Sequence, residues 1–335
     1  MRRTWRTGLS VFLLCGLMLG CGSRGQGTAE SSAAAAESGS AAAADSGKEE
    51  DRIRIGFVVK ENGRDHWLRM QASAQEVCDE KGVELLYLAG SGNVVAAEQI
   101  EKIDQLIEED VDAICVAPIS DEMLYPALRR AADKEIPVFA VDTDTALEDK
   151  VAYIGTNNYE AAKAGAVFAA NELGNTGTAV ILRGTLGDST HDERAEGIAD
   201  GLTENGIEVM ETCFSSPAGA KEDVRKLMQR YPDLSLFITT EDEITWNAWQ
   251  MILASGKTSV SLYGFDGMLE IAELTGKDSQ VIGTTAQFPE EIGRLCVETV
   301  LAYLDGKQID KTTEVPWQII DADNADTYCD TLRNN

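Results

Sequence analysis

The sequence predicts an α/β fold of two lobes, each a parallel sheet flanked by helices. Three observations carry this. Short apolar strands alternate with amphipathic helices from residue 52 onward, which is the pattern of βαβ units. The alternating series then restarts after residue 155, without a residue-level repeat. Finally, 335 residues, 44% of them apolar, are enough for two packed lobes.

The elements follow in order. "RIRIGFVV" reads as a strand and "HWLRMQASAQEVCDEKG" as a helix ending at Gly82. "VELLYLAG", "VDAICVAP" and "IPVFAVD" are strands, separated by the helices "VVAAEQIEKIDQLIEED" and "EMLYPALRRAADKE". The second series opens with the helix "NYEAAKAGAVFAANELG". Its strands are "GTAVILRG", "IEVMETCF", "LSLFITT", "VSLYGFD" and "QVIGTTAQ". Between them lie the helices "DERAEGIADGLTENG", "AKEDVRKLMQRYP", "ITWNAWQMILASG" and "MLEIAELTG". The helix "PEEIGRLCVETVLAYLDG" and a strand "EVPWQII" finish the pattern. Trp246 and Trp249 fall three apart on one helix face, the spacing of core packing.

Charge excludes one class. Asp plus Glu is 57 against 29 Lys plus Arg, a net −28. Such a field repels nucleic acid and anionic headgroups. Residues 1–20 carry Arg2, Arg3 and Arg6, then an apolar run, then small residues, which is a secretory signal pattern. Its "MLGC" end resembles the lipobox of bacterial lipoproteins, which implies a lipidated Cys21 as the mature N-terminus. Residues 21–51 are Ala, Ser, Gly and acids, and read as a disordered tether. A tethered domain of this kind is anchored to the membrane by lipid only and folds in water. It is extracytoplasmic: a Gram-positive surface suits it, and a Gram-negative periplasm is the alternative.

The body has five cysteines at wide spacings, an odd number and no CxxC pair. They read as buried thiols rather than a disulfide framework. With two histidines in the body, a zinc site is not expected, nor any other cofactor.

Doubly wound sheets bind ligands outside the carboxyl ends of their strands. Polar residues collect there in six loops: 60–67, 142–144, 188–192, 241–242, Asp266 and Gln287. Each acid alone is more often a helix cap than a ligand group; six loops with one habit favour a site.

Several of these segments carry a specific resemblance. "IPVFAVDTD", "YGFDG" and "TTAQFPEEIG", with "GVELLYLAG", "VDAICVAPIS" and "ELGNTGTAVILRG" in order and spacing, resemble periplasmic sugar-binding proteins of the ribose/galactose class. The resemblance covers roughly residues 53–320. It implies two Rossmann-like lobes joined by three hinge crossings: 52–155 plus 288–315 as lobe 1, and 156–287 plus 316–335 as lobe 2. It implies a monomer that closes over a monosaccharide or related small polar ligand and delivers it to the subunits of an ABC permease.

Position by position, the resemblance places Asp65 and Trp67 in the first binding loop. A one-residue shift would place Arg64 and His66 there instead. Asp142, Asp266 and Gln287 match well. Thr143, Asp192 and Glu241 depart from the family's arginine, arginine and asparagine, and Arg194 would lie outside the pocket. His191 completes the expected set. Four acids facing one cavity would repel one another. An amine-bearing ligand such as an amino sugar would relieve that. A neutral sugar or polyol, with Arg64 or Arg194 compensating, is the other reading. An enzyme is the competing class, since paired acids serve glycoside hydrolysis. No nucleophile elbow, P-loop or HExxH motif supports it. A repressor of this fold would need a DNA-binding helix pair where this chain has its signal and tether. A sensor kinase or chemoreceptor is the alternative reader of closure.

Overall fold

The computed structural model describes residues 52–91, 95–277 and 279–334. The expected signal, Cys21 and the tether lie outside the described residues.

The first series builds β1 (Arg54–Val59), α1 (Asp65–Lys81), β2 (Glu84–Ala89), α2 (Ala96–Glu108), β3 (Ala113–Val116), α3 (Asp121–Asp133), β4 (Val138–Val141) and β5 (Tyr153–Gly155). Helix α1 stops at Gly82, whose φ of 69° turns the chain left-handed and lets its N–H bond back to the helix carbonyls. The chain then crosses to the second series. That series is α4 (Asn158–Glu172), β6 (Thr178–Arg183), α5 (Ser189–Glu204), β7 (Glu208–Phe214), α6 (Ala220–Arg230), β8 (Leu236–Thr239), α7 (Asp242–Ser255), β9 (Ser261–Asp266), α8 (Leu269–Leu274) and β10 (Val281–Ala286). A second crossing leads to α9 (Pro289–Leu304), which packs on α1, and to β11 (Thr312–Glu314). A third leads to β12 (Gln318–Ile320) and α10 (Ala325–Asn334).

Two six-stranded sheets result, ordered β11-β5-β4-β3-β1-β2 and β12-β10-β9-β8-β6-β7. The pairings are parallel except β10 with β12. Each sheet is covered on both faces by apolar clusters. Phe57 and Phe139 lie on one side of the first sheet, with Val58 and Ile114 on the other. Ile181 and Phe265 face one side of the second sheet, Val180 and Phe237 the other. Each such fully buried side chain contributes about 1.5–3 kcal/mol. Trp246 and Trp249 pack against the last of these clusters, their rings 5.1 Å apart. The five cysteines of the body are free thiols.

The expected strand "EVPWQII" is two strands in different sheets. Its first residue ends β11, its last three form β12, and Val315-Pro316-Trp317 carry the third crossing. Pro316 has no N–H to give a ladder, so the break falls where a continuous strand would lose a bond. β5 and α10 were not expected. β5 is only three residues long, too short to show a period.

Candidate functional site

In each sheet the strand order reverses beside its first strand: at β1/β3 in one and β6/β8 in the other. The loops leaving these strands face each other across the cleft between the lobes, where such folds bind ligands.

Lobe 1 supplies cations. Lys60 follows β1 directly, and its Nζ lies 2.6 Å from Asp188 Oδ2 of the other lobe and 3.9 Å from Asp142 Oδ2 of its own. Arg64 reaches across as well, to Glu241 at 3.4 Å and Glu243 at 3.0 Å. It also pairs with Glu61. His66 Nε2 lies 2.8 Å from Asp142 Oδ1. Burial alone would raise the Asp142 pKa, but His66, Lys60 and Arg194 outweigh it and hold the carboxyl well below its usual range. Asp142 is therefore ionised, and His66 Nε2 carries the proton it donates. Thr143 is buried and donates its hydroxyl to Asp142 Oδ2.

Lobe 2 supplies carboxylates. Asp188 caps α5, accepting from Thr190 N–H, and is buried. Burial would raise its pKa; Lys60, by charge and hydrogen bond, and the Thr190 hydroxyl bring it below the ordinary value. His191 Nδ1 meets Thr240 Oγ1 at 2.8 Å, and burial lowers this imidazole to about 3, so it is neutral. Glu241 begins α7 but caps nothing with its side chain. Burial pushes it up to about 7; Arg64 opposes this, and Asp266 and Glu243 add to it.

Asp242, not Glu241, does the tying at this corner. Its Oδ2 accepts from Gly267 N–H, Met268 N–H and Thr284 Oγ1–H. Asp266 Oδ1 accepts from Arg194 Nη1 at 3.2 Å and from Gln287 Nε2 at 2.8 Å, which links lobe 2 to the second crossing.

Asp142 directly follows β4 and Asp266 ends β9, the fourth strand of each series. Both hold positive φ, 63° and 122°. Non-glycine residues adopt such values at a cost of about 1–3 kcal/mol, and functional sites are where they persist.

Four expected placements differ in the structure. Asp65 is the first residue of α1; its side chain is 75% exposed and pairs with Arg69 one turn on. Trp67 is buried in the lobe 1 core with Ile55 and Phe57, its ring nearly perpendicular to that of His66 at 4.8 Å between centres. Of the two loop registers, the structure brings Arg64 and His66 to the cleft. Asp192 is half-exposed and held by Arg183 at the end of β6. Arg194, expected outside the pocket, is buried at its base, bonded to Asn158, the Thr240 carbonyl and Asp266, with its guanidinium 4.0 Å from the Phe265 ring centre. Lys60 and Asp188 were missed as site residues. Their signal was position: each stands in a loop directly after a switch-point strand.

Residues 55–308 match the family model described as periplasmic binding protein domain. The chain is 24% identical over 271 residues to the ribose import binding protein of Salmonella typhimurium, covering 79% of this chain and 90% of that one. It is 28% identical over 308 residues to the fructose import binding protein of Bifidobacterium longum, covering 88% and 91%. Among solved structures, an ABC transporter solute-binding protein from Actinobacillus succinogenes with bound D-allose superposes with a TM-score of 0.77 at 19% identity, covering 83% of this chain and 100% of that one.

Proposed function

The chain belongs to the periplasmic binding protein domain family, and from that premise we propose that it binds a neutral monosaccharide or polyol between its lobes. One observation carries the reading. Lys60 and Arg64 of lobe 1, with the His66–Asp142 pair beside them, reach Asp188 and Glu241 of lobe 2 in the loops after β6 and β8. Fixed donors and acceptors of this kind suit sugar hydroxyls. The relatives named for ribose and fructose import agree with it.

The neutral ligand is favoured over the amine because the acids already have protein donors. Lys60 serves Asp142 and Asp188, Arg64 serves Glu241, and Arg194 with Gln287 serves Asp266. In this reading the lobes part, the sugar enters, and its hydroxyls insert among these pairs. Only the closed form makes both sets of contacts, so ligand favours closure. Calorimetric titration with neutral pentoses, hexoses, polyols and amino sugars tests it. Binding confined to the amino sugars would overturn the neutral assignment.

Closure would be read by an ABC permease, and a sensor kinase or chemoreceptor is the alternative reader; the genes beside this one discriminate. A lipid on Cys21 would hold the domain outside the cytoplasm. Metabolic labelling with a fatty acid should mark the wild type and not Cys21→Ala, and equal labelling would refute the anchor. No turnover of sugar–nitrophenol conjugates is expected.

A further inference from the structure

The two sheets share a strand order, yet their edges differ. β2 and β7 hold the same edge position in their lobes. β7 is guarded: a register irregularity interrupts its pairing with β6, and it carries Glu208 and Glu211, the latter paired with Arg230. Bulges and charges of this kind keep an edge from pairing with another chain. β2 lacks the irregularity and has one charge, at its first residue. It runs in unbroken register along β1 from Glu84 to Ala89, and after Glu84 its sequence is Leu-Leu-Tyr-Leu-Ala. All six residues are half-buried. Leu85, Tyr87 and Ala89 pack toward one core layer, Leu86 and Leu88 toward the other.

The backbone sets which groups are open. Glu84 donates its N–H to the Ile53 carbonyl, and Gly90 donates to that of Val59. Successive residues of a strand alternate in direction, so Leu85, Tyr87 and Ala89 turn their N–H and C=O groups away from β1. A partner strand must meet these three. A second β2, antiparallel and centred on Tyr87, does so. Tyr87 meets Tyr87 of the second copy and Leu85 meets its Ala89, each pair exchanging both its bonds.

Charge favours this occupant over an unrelated strand, because the two ends of β2 are opposite in sign. At its start Arg52 donates to the Gly82 and Val83 carbonyls, and the exposed Lys81 stands beside them. Beyond its end Ser91 gives its N–H and hydroxyl to Glu98. The register that aligns the open backbone groups also sets Val83 opposite Ser91 of the second copy. It thereby brings Arg52 of each copy to Glu98 of the other, and twofold symmetry makes the contact twice. The net −28 of each chain opposes approach, but exposed charges farther apart than about 8 Å are largely screened at physiological salt.

We infer that β2 is the interface of a homodimer: two copies pair their β2 strands antiparallel about Tyr87, joining two lobe 1 sheets into one, with Arg52 of each copy on Glu98 of the other. This replaces the monomer that the family resemblance implies. The sugar cleft lies at the carboxyl ends of the strands rather than along this edge, so the dimer stands or falls without the sugar reading.

Sedimentation velocity of the full chain tests it, in density-matched detergent at physiological salt and over a dilution series. A reversible monomer–dimer equilibrium is expected. Arg52→Glu and Glu98→Arg should each weaken dimerisation by roughly tenfold or more, because each turns two attractions into two repulsions. Mixing the two variants should restore it, since both cross-pairs of the mixed dimer are then opposite in sign. A melting curve of each variant checks that it is folded. A monomer at every concentration, a dimer indifferent to both reversals, or a mixture that stays monomeric would each overturn the proposal.

Discussion

The two lobes share one strand order yet carry opposite charge into the cleft. Lobe 1 presents Lys60, Arg64 and His66 with the acids Asp142 and Glu61. Lobe 2 presents Asp188, Glu241, Glu243 and Asp266, and its own cation there, Arg194, is buried at the base. The consequence shows in two buried carboxylates. Asp142 has the His66 N–H and the Lys60 ammonium within its own lobe, with Arg194 beyond them, and is held well below its usual pKa. Glu241 must borrow Arg64 from across the cleft and is pushed up to about 7. Burial acts on both in the same direction, so the supply of cations decides the difference. Lobe 1 carries most of the cations that serve its acid, whereas lobe 2 gains Lys60 and Arg64 by closure.

The largest test removes the matched pair of strand-end acids. Asp266→Ala and Asp142→Ala should each cost about a thousandfold in sugar affinity, about 4 kcal/mol, with the circular dichroism spectrum unchanged. Near-normal affinity of either variant would break the equivalence of β4 and β9.

Next is the bridge. Lys60→Met strands Asp188 and Asp142 without their shared cation, and breaking such a pair is costly because the acids stay buried. About 2–3 kcal/mol of binding should go, read by the same titration. Asp188 is the acid more exposed to this loss, because Asp142 keeps His66.

Glu241→Gln should act in the opposite direction, on stability. The folded pKa, about 7, lies above the ordinary glutamate value of 4.5. The native state therefore holds a proton that the unfolded state gives up. This lowers stability as pH rises from the unfolded pKa through the folded one. At about pH 8 the amide should stabilise by about 1–2 kcal/mol, and at about pH 4 it should change little. Melting curves at both values check it; equal effects at the two would show that Glu241 is not charge-frustrated.

The smallest effect is at His191. Its folded pKa, about 3, lies below the ordinary histidine value of 6.5. Its contribution is fully present above the unfolded value and is lost as pH falls toward 3. His191→Gln should flatten that acid limb while costing about 1 kcal/mol near neutrality through the Thr240 bond. An unchanged acid limb would reassign it.

Much of this was legible in the chain. The βα order, the strand-end loops and the acids Asp142, Glu241 and Asp266 follow from period and position, because a switch point needs only the order of strands. What stayed hidden depended on direction. Trp67 and His66 are neighbours in sequence, but helix α1 turns one into the core and the other to the cleft. Asp192 and Arg194 are two apart on α5, and the helix turn sends the acid outward to Arg183 and the arginine inward to Asp266. A phase error of one residue reverses such assignments. The resemblance put the third crossing at residues 315/316, whereas periodicity alone read one strand there, because β11 and β12 are each three residues long.

The central claim, that cations of lobe 1 complete lobe 2 by closure, is tested most directly by small-angle X-ray scattering of the protein without sugar, comparing wild type with Lys60→Met/Arg64→Met. The account predicts a larger radius of gyration for the double variant, with the lobes apart once Asp188, Glu241 and Glu243 lose their partners. Superimposable curves would contradict it.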